Sequence, residues 1–288
     1  MISVVIPVYN EGNAIKNTVI EIRKIFETEN INEYEIVLVN DGSTDNTPNE
    51  IEDLGCTIVT NPHNIGYGFS LKRGIQKAKY DIIAITDADL TYPFEYIPQF
   101  LKEFEKGFDL IVGARTGKNY KESFLKGLLR MLLQGFVEFV AGRKIKDINS
   151  GLRVFSKQAV LPFFNRLCNT FSFTTSQTLA YMMNGKFVKY IDIPYHKRAG
   201  KSKVKLFKDS VHTMQYIIEA AVYYNPLKIF SAFSVFCILL SIIGFIFSTT
   251  LNINVGYYLG IGGLLVSLII FCIGLLGVLL KQIMDNQK

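Results

Sequence analysis

Three hydrophobic patterns run along this chain. The first is the short apolar run bounded by polar or turn-forming residues, which reads as a buried strand. It occurs at Ile2 to Ile6, Tyr34 to Asn40, Cys56 to Thr60, Asp81 to Thr86 and Phe108 to Gly113. The second is helical spacing between those runs. Ile15, Val19, Ile22 and Ile25 set one face of a helix over Asn13 to Thr28. Gly68 to Lys79 and Phe94 to Lys106 read as helices too, the latter with Pro93 at its first turn. Strands alternating with helices predict an α/β fold with a mostly parallel, doubly wound, Rossmann-like sheet. Ligands of such sheets bind at the carboxyl ends of the strands. Further along, a long helical stretch covers Lys121 to Ala141, a short strand Leu152 to Phe155, a helix Thr174 to Asn184 ended by Gly185, and a strand Phe187 to Ile193.

The third pattern is unbroken. From Ile229 to Leu280 there is no Asp, Glu, Lys, Arg or His. A cluster of Thr, Asn and Gly at Thr249 to Gly256 divides the run into Leu227 to Ser248 and Tyr257 to Leu280, each longer than the ~20 residues a membrane-spanning helix needs. Just before it, Phe207 to Tyr224 is amphipathic, with Phe207, Val211, Met214, Ile218 and Ala221 or Val222 on one face, and its place favours an interfacial helix. The expected organisation is a globular domain over 1–205, an interfacial amphipathic helix over 206–225, and a two-helix transmembrane hairpin over 226–288. The loop inside the hairpin carries no Lys or Arg, whereas Lys228 and Lys281 flank its other side. The positive-inside rule then places the globular domain and both termini in the cytoplasm. The run Ile2 to Ile6 is too short for a signal peptide and has no basic region before it.

Charge sharpens the picture in one place. The net charge is +6, and Lys197, Arg198, Lys201, Lys203, Lys205 and Lys208 crowd into a stretch without acids, directly before the apolar tail. Such a stretch suits anionic lipid or phosphate. No nucleic-acid module accompanies it, so nucleic acid is not an expected partner. The cysteines, Cys56, Cys168, Cys237 and Cys272, form no CxxC pair, and neither a disulfide framework nor a zinc site is expected.

The candidate chemistry sits at strand ends. Pro7-Val-Tyr9-Asn-Glu11-Gly12 follows the first strand, and Asn40-Asp41-Gly-Ser-Thr-Asp45 follows the second. Asp41 could accept hydrogen bonds from a base or ribose, while Ser43, Thr44 or Asp45 caps the next helix. Asp87-Ala88-Asp89 comes straight after the apolar run ending at Thr86. Two carboxylates one residue apart at a strand end can hold a hard cation such as Mg2+ or Mn2+, which shares its oxygen ligands with substrate phosphates. Each motif alone is common. The histidines, His63, His196 and His212, show no metal or triad spacing.

Together and in this order, the motifs resemble the family 2 glycosyltransferases with the GT-A fold, over roughly residues 1 to 205. The resemblance implies that Pro7, Tyr9, Glu11 and Asp41 line a nucleotide pocket, and that Asp87, Ala88 and Asp89 serve a nucleotide-sugar and its metal. Asn61 to Gly68, with Gly66, looks like that family's loop beside the nucleotide. Gly113-Ala-Arg115, Arg130, Asp147-Ile-Asn-Ser-Gly151-Leu-Arg153 and Arg198-Ala-Gly-Lys-Ser202-Lys203 are similar to the polyprenyl-phosphate hexose synthases, the dolichyl-phosphate mannose synthase type. That similarity implies an acceptor phosphate held by Arg115, Arg130 and Arg153. It also implies Arg198, Ser202 and Lys203 near the donor diphosphate. Arg forks match phosphate oxygens and Lys adds a point charge. The sequence departs from the pattern at Asn40, where many relatives carry Asp, and at Thr91, where many have a metal-binding Gln.

The expected reaction is an inverting transfer of a hexose from a UDP- or GDP-sugar to an ionised polyprenyl-phosphate lipid, with Asp89, Asp147 and Arg115 as the candidate catalytic residues. A phosphate acceptor needs no strong base, so positioning and charge stabilisation do the work. A rival reading gives the sugar to a hydroxyl with Asp147 as base. The absence of Trp removes the Gln-x-x-Arg-Trp motif of processive synthases. A nucleotidyltransferase lacks its Gly-rich loop here, and a non-catalytic sugar-lipid scaffold would have no use for intact Asp87, Asp89, Arg115 and Arg198. A two-span hairpin gives a long lipid little shelter, which makes a homo-oligomer an expectation to test.

Overall fold

The computed structural model describes residues 1–117, 124–196, 206–251 and 254–286. The chain divides into two compact units, Met1–Ile217 and Ile218–Lys288.

The first unit alternates strand and helix from its start. β1 (Ile2–Val8), α1 (Gly12–Thr28), β2 (Tyr34–Asn40), α2 (Thr47–Glu52), β3 (Thr57–Thr60), α3 (Tyr67–Lys77) and β4 (Ile82–Ile85) come first. Then follow α4 (Ile97–Glu105), β5 (Leu110–Thr116), α5 (Phe124–Ala141), β6 (Arg153–Ser156), the short α6 (Lys157–Val160), α7 (Phe173–Met183) and β7 (Val188–Pro194). The seven strands form one sheet in the order β3-β2-β1-β4-β6-β5-β7. β6 runs antiparallel to β4 and β5, and every other pairing is parallel. This is the mostly parallel Rossmann-like sheet of a GT-A fold. Ile2, Val4, Val5 and Ile6 of β1 are all fully buried, which explains a strand without polar alternation: helices cover both faces of the sheet.

The strand order reverses at β1. The chain runs outward from β1 to β2 and β3, then returns to place β4 on the other side of β1. A crevice opens at the carboxyl ends of strands at such a reversal. The segments after β1, β2 and β4 therefore converge there.

Some elements differ from the sequence expectation for physical reasons. The buried stripe of α1 is Ile15, Val19, Ile22 and Phe26, while Ile25 is only partly buried, so the aromatic completes the face. Phe94–Tyr96 forms a 3-10 turn, and the α-helix starts at Ile97. Pro98 dictates this, because proline is tolerated only in a helix's first turn. The six-residue α2 carries no readable periodicity. Its start is fixed instead by Asp45, whose carboxylate accepts from the Thr47 backbone N–H at 3.0 Å.

α8 (Leu206–Tyr224) joins the units in sequence. It buries Ile217 and Ala221 and exposes Met214, Ile218 and Val222. In the second unit α9 (Pro226–Leu251) and α10 (Asn254–Asn286) form a hairpin. Both helices reach into the Thr249 to Gly256 cluster that the sequence offers as a break, α9 to Leu251 and α10 from Asn254. Thr249 and Thr250 bond back to the carbonyls of Phe245 and Ile246 and stay helical. Small residues let the helices approach: a Cβ on Gly256 would sit 2.7 Å from the Gly244 carbonyl oxygen, and Ser234 Oγ donates to the Ser267 carbonyl at 2.9 Å. Pro226–Thr250 and Asn254–Met284 have mean hydropathies of 2.6 and 2.9, with only 17% and 11% of their most apolar windows buried. Both are long and apolar enough to cross a membrane. A soluble protein's core helix would be mostly buried; these are not.

Candidate active site

The turn after β4 is built around two carboxylates. Asp87 is half-buried and Asp89 is buried. Asp89 Oδ1 accepts from both the backbone N–H (3.2 Å) and the hydroxyl (2.6 Å) of the fully buried Thr91. Thr91 thus orients a carboxylate rather than standing in for a metal-binding Gln. Leu90, between them, has φ 59°, a left-handed conformation unusual for a bulky side chain. Strain of this kind persists only where the surroundings impose it, and it clusters at functional turns.

Asp87 is gripped from two sides. The Tyr67 hydroxyl donates to its Oδ1 at 3.0 Å. Gly151 lies so close that an added Cβ would sit 3.0 Å from Oδ1 and 3.1 Å from Oδ2. Burial, and then the Asp87 charge, push the Tyr67 phenol well above its usual range, so it remains a donor.

The donor set fits a hard divalent cation. Two carboxylates share one short turn, backed by hydroxyls. Among the described residues no group of three or more His, Cys, Asp or Glu is clustered to hold a metal. A cation here would need water or substrate phosphate to fill its shell, which is how Mg2+ usually binds.

The segments after β1 and β2 are tied together. Pro7 lies in β1 opposite Val39, and Tyr9 and Glu11 follow, half-buried. Asn10, at φ 52°, accepts at Oδ1 from Thr44 N (2.8 Å), and its own N–H donates to Ser43 Oγ (3.0 Å). Asn40 Oδ1 accepts from Ser43 N at 2.9 Å, giving the residue a turn-holding role that a carboxylate could also fill. Asp41 is 3% exposed and fastens the next loop: it accepts from Asn61 Nδ2 (2.7 Å), Ile65 N (3.0 Å) and Gly66 N (2.9 Å). Its visible bonds shape the Asn61 to Gly66 loop, where the sequence suggests direct contact with a base or ribose. Gly66, at φ 119°, allows that loop to pass the Asn169 carbonyl, 2.9 Å from where a Cβ would be.

The second half of the site lies at the end of β5. Arg115 reaches Asp147 with three donors: backbone N to Oδ2 (3.1 Å), Nε to Oδ2 (2.7 Å) and Nη2 to Oδ1 (2.9 Å). Asn149 N adds a fourth bond to Oδ1 at 3.2 Å. The Asp147 side chain is 3% exposed and that of Arg115 15%. The Tyr195 ring lies 5.3 Å from the Arg115 guanidinium carbon and meets the Tyr92 ring edge-on. Tyr92 OH accepts from Gly151 N at 2.7 Å, linking this half to the glycine that crowds Asp87.

Arg153 departs from the expected ligand contact. It is fully buried, and its guanidinium donates to the carbonyls of Ser150 (2.7 Å) and Ile148 (2.8 Å) and to Thr178 Oγ1 (2.8 Å). Burial lowers its pKa to about 10, still charged at neutral pH. It braces the loop that carries Asp147 and Gly151 from within. Arg130 falls in α5, but its side chain is outside the described residues, as are Arg198, Ser202 and Lys203 altogether. Tyr67 and Tyr92 are the site residues that sequence reasoning missed. Their only signal is position: one opens a helix after Gly66, the other closes the Asp87 turn.

A sheet that reverses at β1, with a paired-carboxylate turn at the crevice, is the architecture of the GT-A class. The family model for Glycosyl transferase family 2 matches residues 3–166, and the chain belongs to that family; it is a glycosyltransferase. A Bacillus subtilis protein, CsbB, is 31% identical over 166 residues, 56% of this chain and 49% of that one, so the chain spans about half of its length. A dolichyl-phosphate hexose transferase of Haloferax volcanii is 28% identical over 72% of this chain and 87% of its own. Among solved structures, glucosyl-3-phosphoglycerate synthase from Mycobacterium tuberculosis, in complex with Mn2+, UDP and glucosyl-3-phosphoglycerate, superposes with TM-score 0.61 at 16% identity, covering 77% of this chain and 80% of that one. That likeness is one of fold.

Proposed function

We propose that the protein transfers a hexose from a UDP- or GDP-sugar to the phosphate of a polyprenyl lipid, undecaprenyl or dolichyl, at the cytoplasmic face of a membrane and with inversion. The observation that carries this reading is the Arg115–Asp147 pair. Both Asp147 oxygens are engaged, three of four bonds coming from Arg115. A carboxylate so held is a poor base but a good clamp for a guanidinium. A clamped, partly exposed guanidinium suits a phosphate oxyanion. An ionised phosphate is already a nucleophile, so no base is required. This weighs against a hydroxyl acceptor with Asp147 as base. The Haloferax relative's name, dolichyl-phosphate hexose transferase, supports the same acceptor class.

In this reading Asp87 and Asp89 hold Mg2+ or Mn2+, which when bound offsets charge building on the leaving diphosphate. Pro7, Tyr9, Glu11, Gly66 and Ala88 line the nucleotide pocket, with Asp41 shaping the loop beside it. Arg198, Ser202 and Lys203 meet the diphosphate, and Arg130 joins Arg115 at the acceptor. Arg153 holds the Asp147 loop in place. Two anions must approach each other, and cationic side chains on each lower that repulsion. The hairpin spans the membrane with Lys228 and Lys281 on the cytoplasmic side, and the exposed stripe Met214, Ile218 and Val222 lies in the interface.

The test is to incubate detergent-solubilised protein with polyprenyl phosphate, Mg2+ or Mn2+ and a panel of radiolabelled UDP- and GDP-sugars. Label entering the organic phase with one donor, and lost on chelation, is the expected result. No lipid label with any donor, despite nucleotide binding, would overturn the reading.

A further inference from the structure

Tyr67 lies in the Asn61 to Gly68 loop that looks like the family's, where no role falls to it, and yet it touches the first carboxylate. Its hydroxyl donates to Asp87 Oδ1 at 3.0 Å. Its ring stacks on Phe171, with centroids 5.7 Å apart and planes inclined by 14°. The Phe171 segment is itself anchored to α3. Phe69 N donates to the Asn169 carbonyl at 2.9 Å, and Lys72 Nζ donates to Leu167 O (2.5 Å) and Asn169 Oδ1 (2.6 Å). Gly68 makes the approach feasible, since a Cβ there would fall 2.3 Å from the Cys168 carbonyl oxygen. The ring is therefore fixed between a helix and a bound loop, and its hydroxyl has little freedom. On its other side, Asp87 meets the backbone of Gly151.

We infer that Tyr67 is a positioning residue for the divalent cation, setting the orientation of Asp87 through its hydroxyl while the Phe171 stack fixes the ring. The inference rests on the reading of Asp87 and Asp89 as the metal carboxylates. Hydrogen-bond partners behind a metal ligand hold it in one rotamer, and removing one typically costs about 10- to 100-fold in metal affinity. A phenol is suited to this, because it orients a carboxylate without adding a positive charge that would compete with the cation. Tyr67→Phe keeps the ring and its stack and removes only the donor. Gly151→Ala disturbs the same carboxylate from the opposite side, where the new methyl would press on both oxygens.

The experiment is Mn2+ titration of the full-length protein in detergent with saturating UDP, followed by the electron paramagnetic resonance signal of free Mn2+, alongside a thermal melt. Asp89→Ala is the control for the metal reading. The expected result is loss of Mn2+ binding in Asp89→Ala, and about tenfold or greater weakening in Tyr67→Phe with an unchanged melting temperature and unchanged UDP affinity in the absence of metal. Gly151→Ala should weaken Mn2+ as well. Wild-type Mn2+ affinity in Tyr67→Phe, with binding abolished in Asp89→Ala, would overturn the role of Tyr67 alone. Wild-type affinity in Asp89→Ala would overturn the metal reading beneath it.

Discussion

Two aspartate sites at the same end of the sheet are held in opposite ways. After β4, Asp87 and Asp89 receive hydroxyl donors, from Tyr67 and Thr91. Before β6, Asp147 receives a guanidinium in bidentate fashion. A hydroxyl orients a carboxylate and leaves its charge in place; a guanidinium orients and neutralises it. In the proposed reading the same side chain is prepared for a cation in one place and aims a cation in the other. Residue type alone would have assigned three interchangeable acids. Their partners divide them into a hydroxyl-held pair, the proposed metal carboxylates, and a clamp.

Breaking the first site should have the largest effect. Asp89→Ala removes a carboxylate the proposed metal needs, and transfer into lipid should fall by about a thousandfold, the several kcal/mol expected of metal charge stabilisation. A radiolabel assay with and without excess Mn2+ reads it. Next comes the clamp. Asp147→Asn keeps the shape but loses the charge-assisted bonds, about 1.5–3 kcal/mol. The account expects roughly a ten- to hundredfold rise in KM for polyprenyl phosphate, with a smaller change in kcat. The brace behind the clamp ranks third. Arg153→Met leaves two carbonyls and a hydroxyl unmet in the interior, and should lower the stability of the globular unit by about 2 kcal/mol, seen as a lower melting temperature. The smallest effect is at Tyr195. Its ring over Arg115 is worth about 0.5–1 kcal/mol, so Tyr195→Leu should raise acceptor KM only a few-fold.

What was legible in the sequence followed from local pattern. The buried strands, the helix faces, the apolar hairpin and the Asp87-Ala-Asp89 turn each carry a signal within a few residues. The roles that depended on distant partners did not. The bonds by which Asp41 fastens Ile65 and Gly66 leave no mark in the sequence around it. Arg153 reads as a phosphate-binding arginine until its burial and its bonds to Ile148 and Ser150 appear. Tyr67 lies in the family-like Asn61 to Gly68 loop with nothing local to single it out, since its proposed role comes from a bond across 20 residues of chain to Asp87. β6 gave a strand signal but no sign of direction, because antiparallel insertion between β4 and β5 is a property of the connection rather than of Arg153 to Ser156.

The central claim is that Asp147 aims Arg115 at an ionised acceptor and abstracts no proton. The direct measurement offers wild-type protein and Asp147→Asn a polyprenyl phosphate and the corresponding free polyprenol, each with the labelled donor that supports transfer. The account predicts label on the phosphate alone, and residual turnover in Asp147→Asn at saturating phosphate lipid. Label on the polyprenol, or a loss of kcat to background in Asp147→Asn with the lipid still bound, would contradict it.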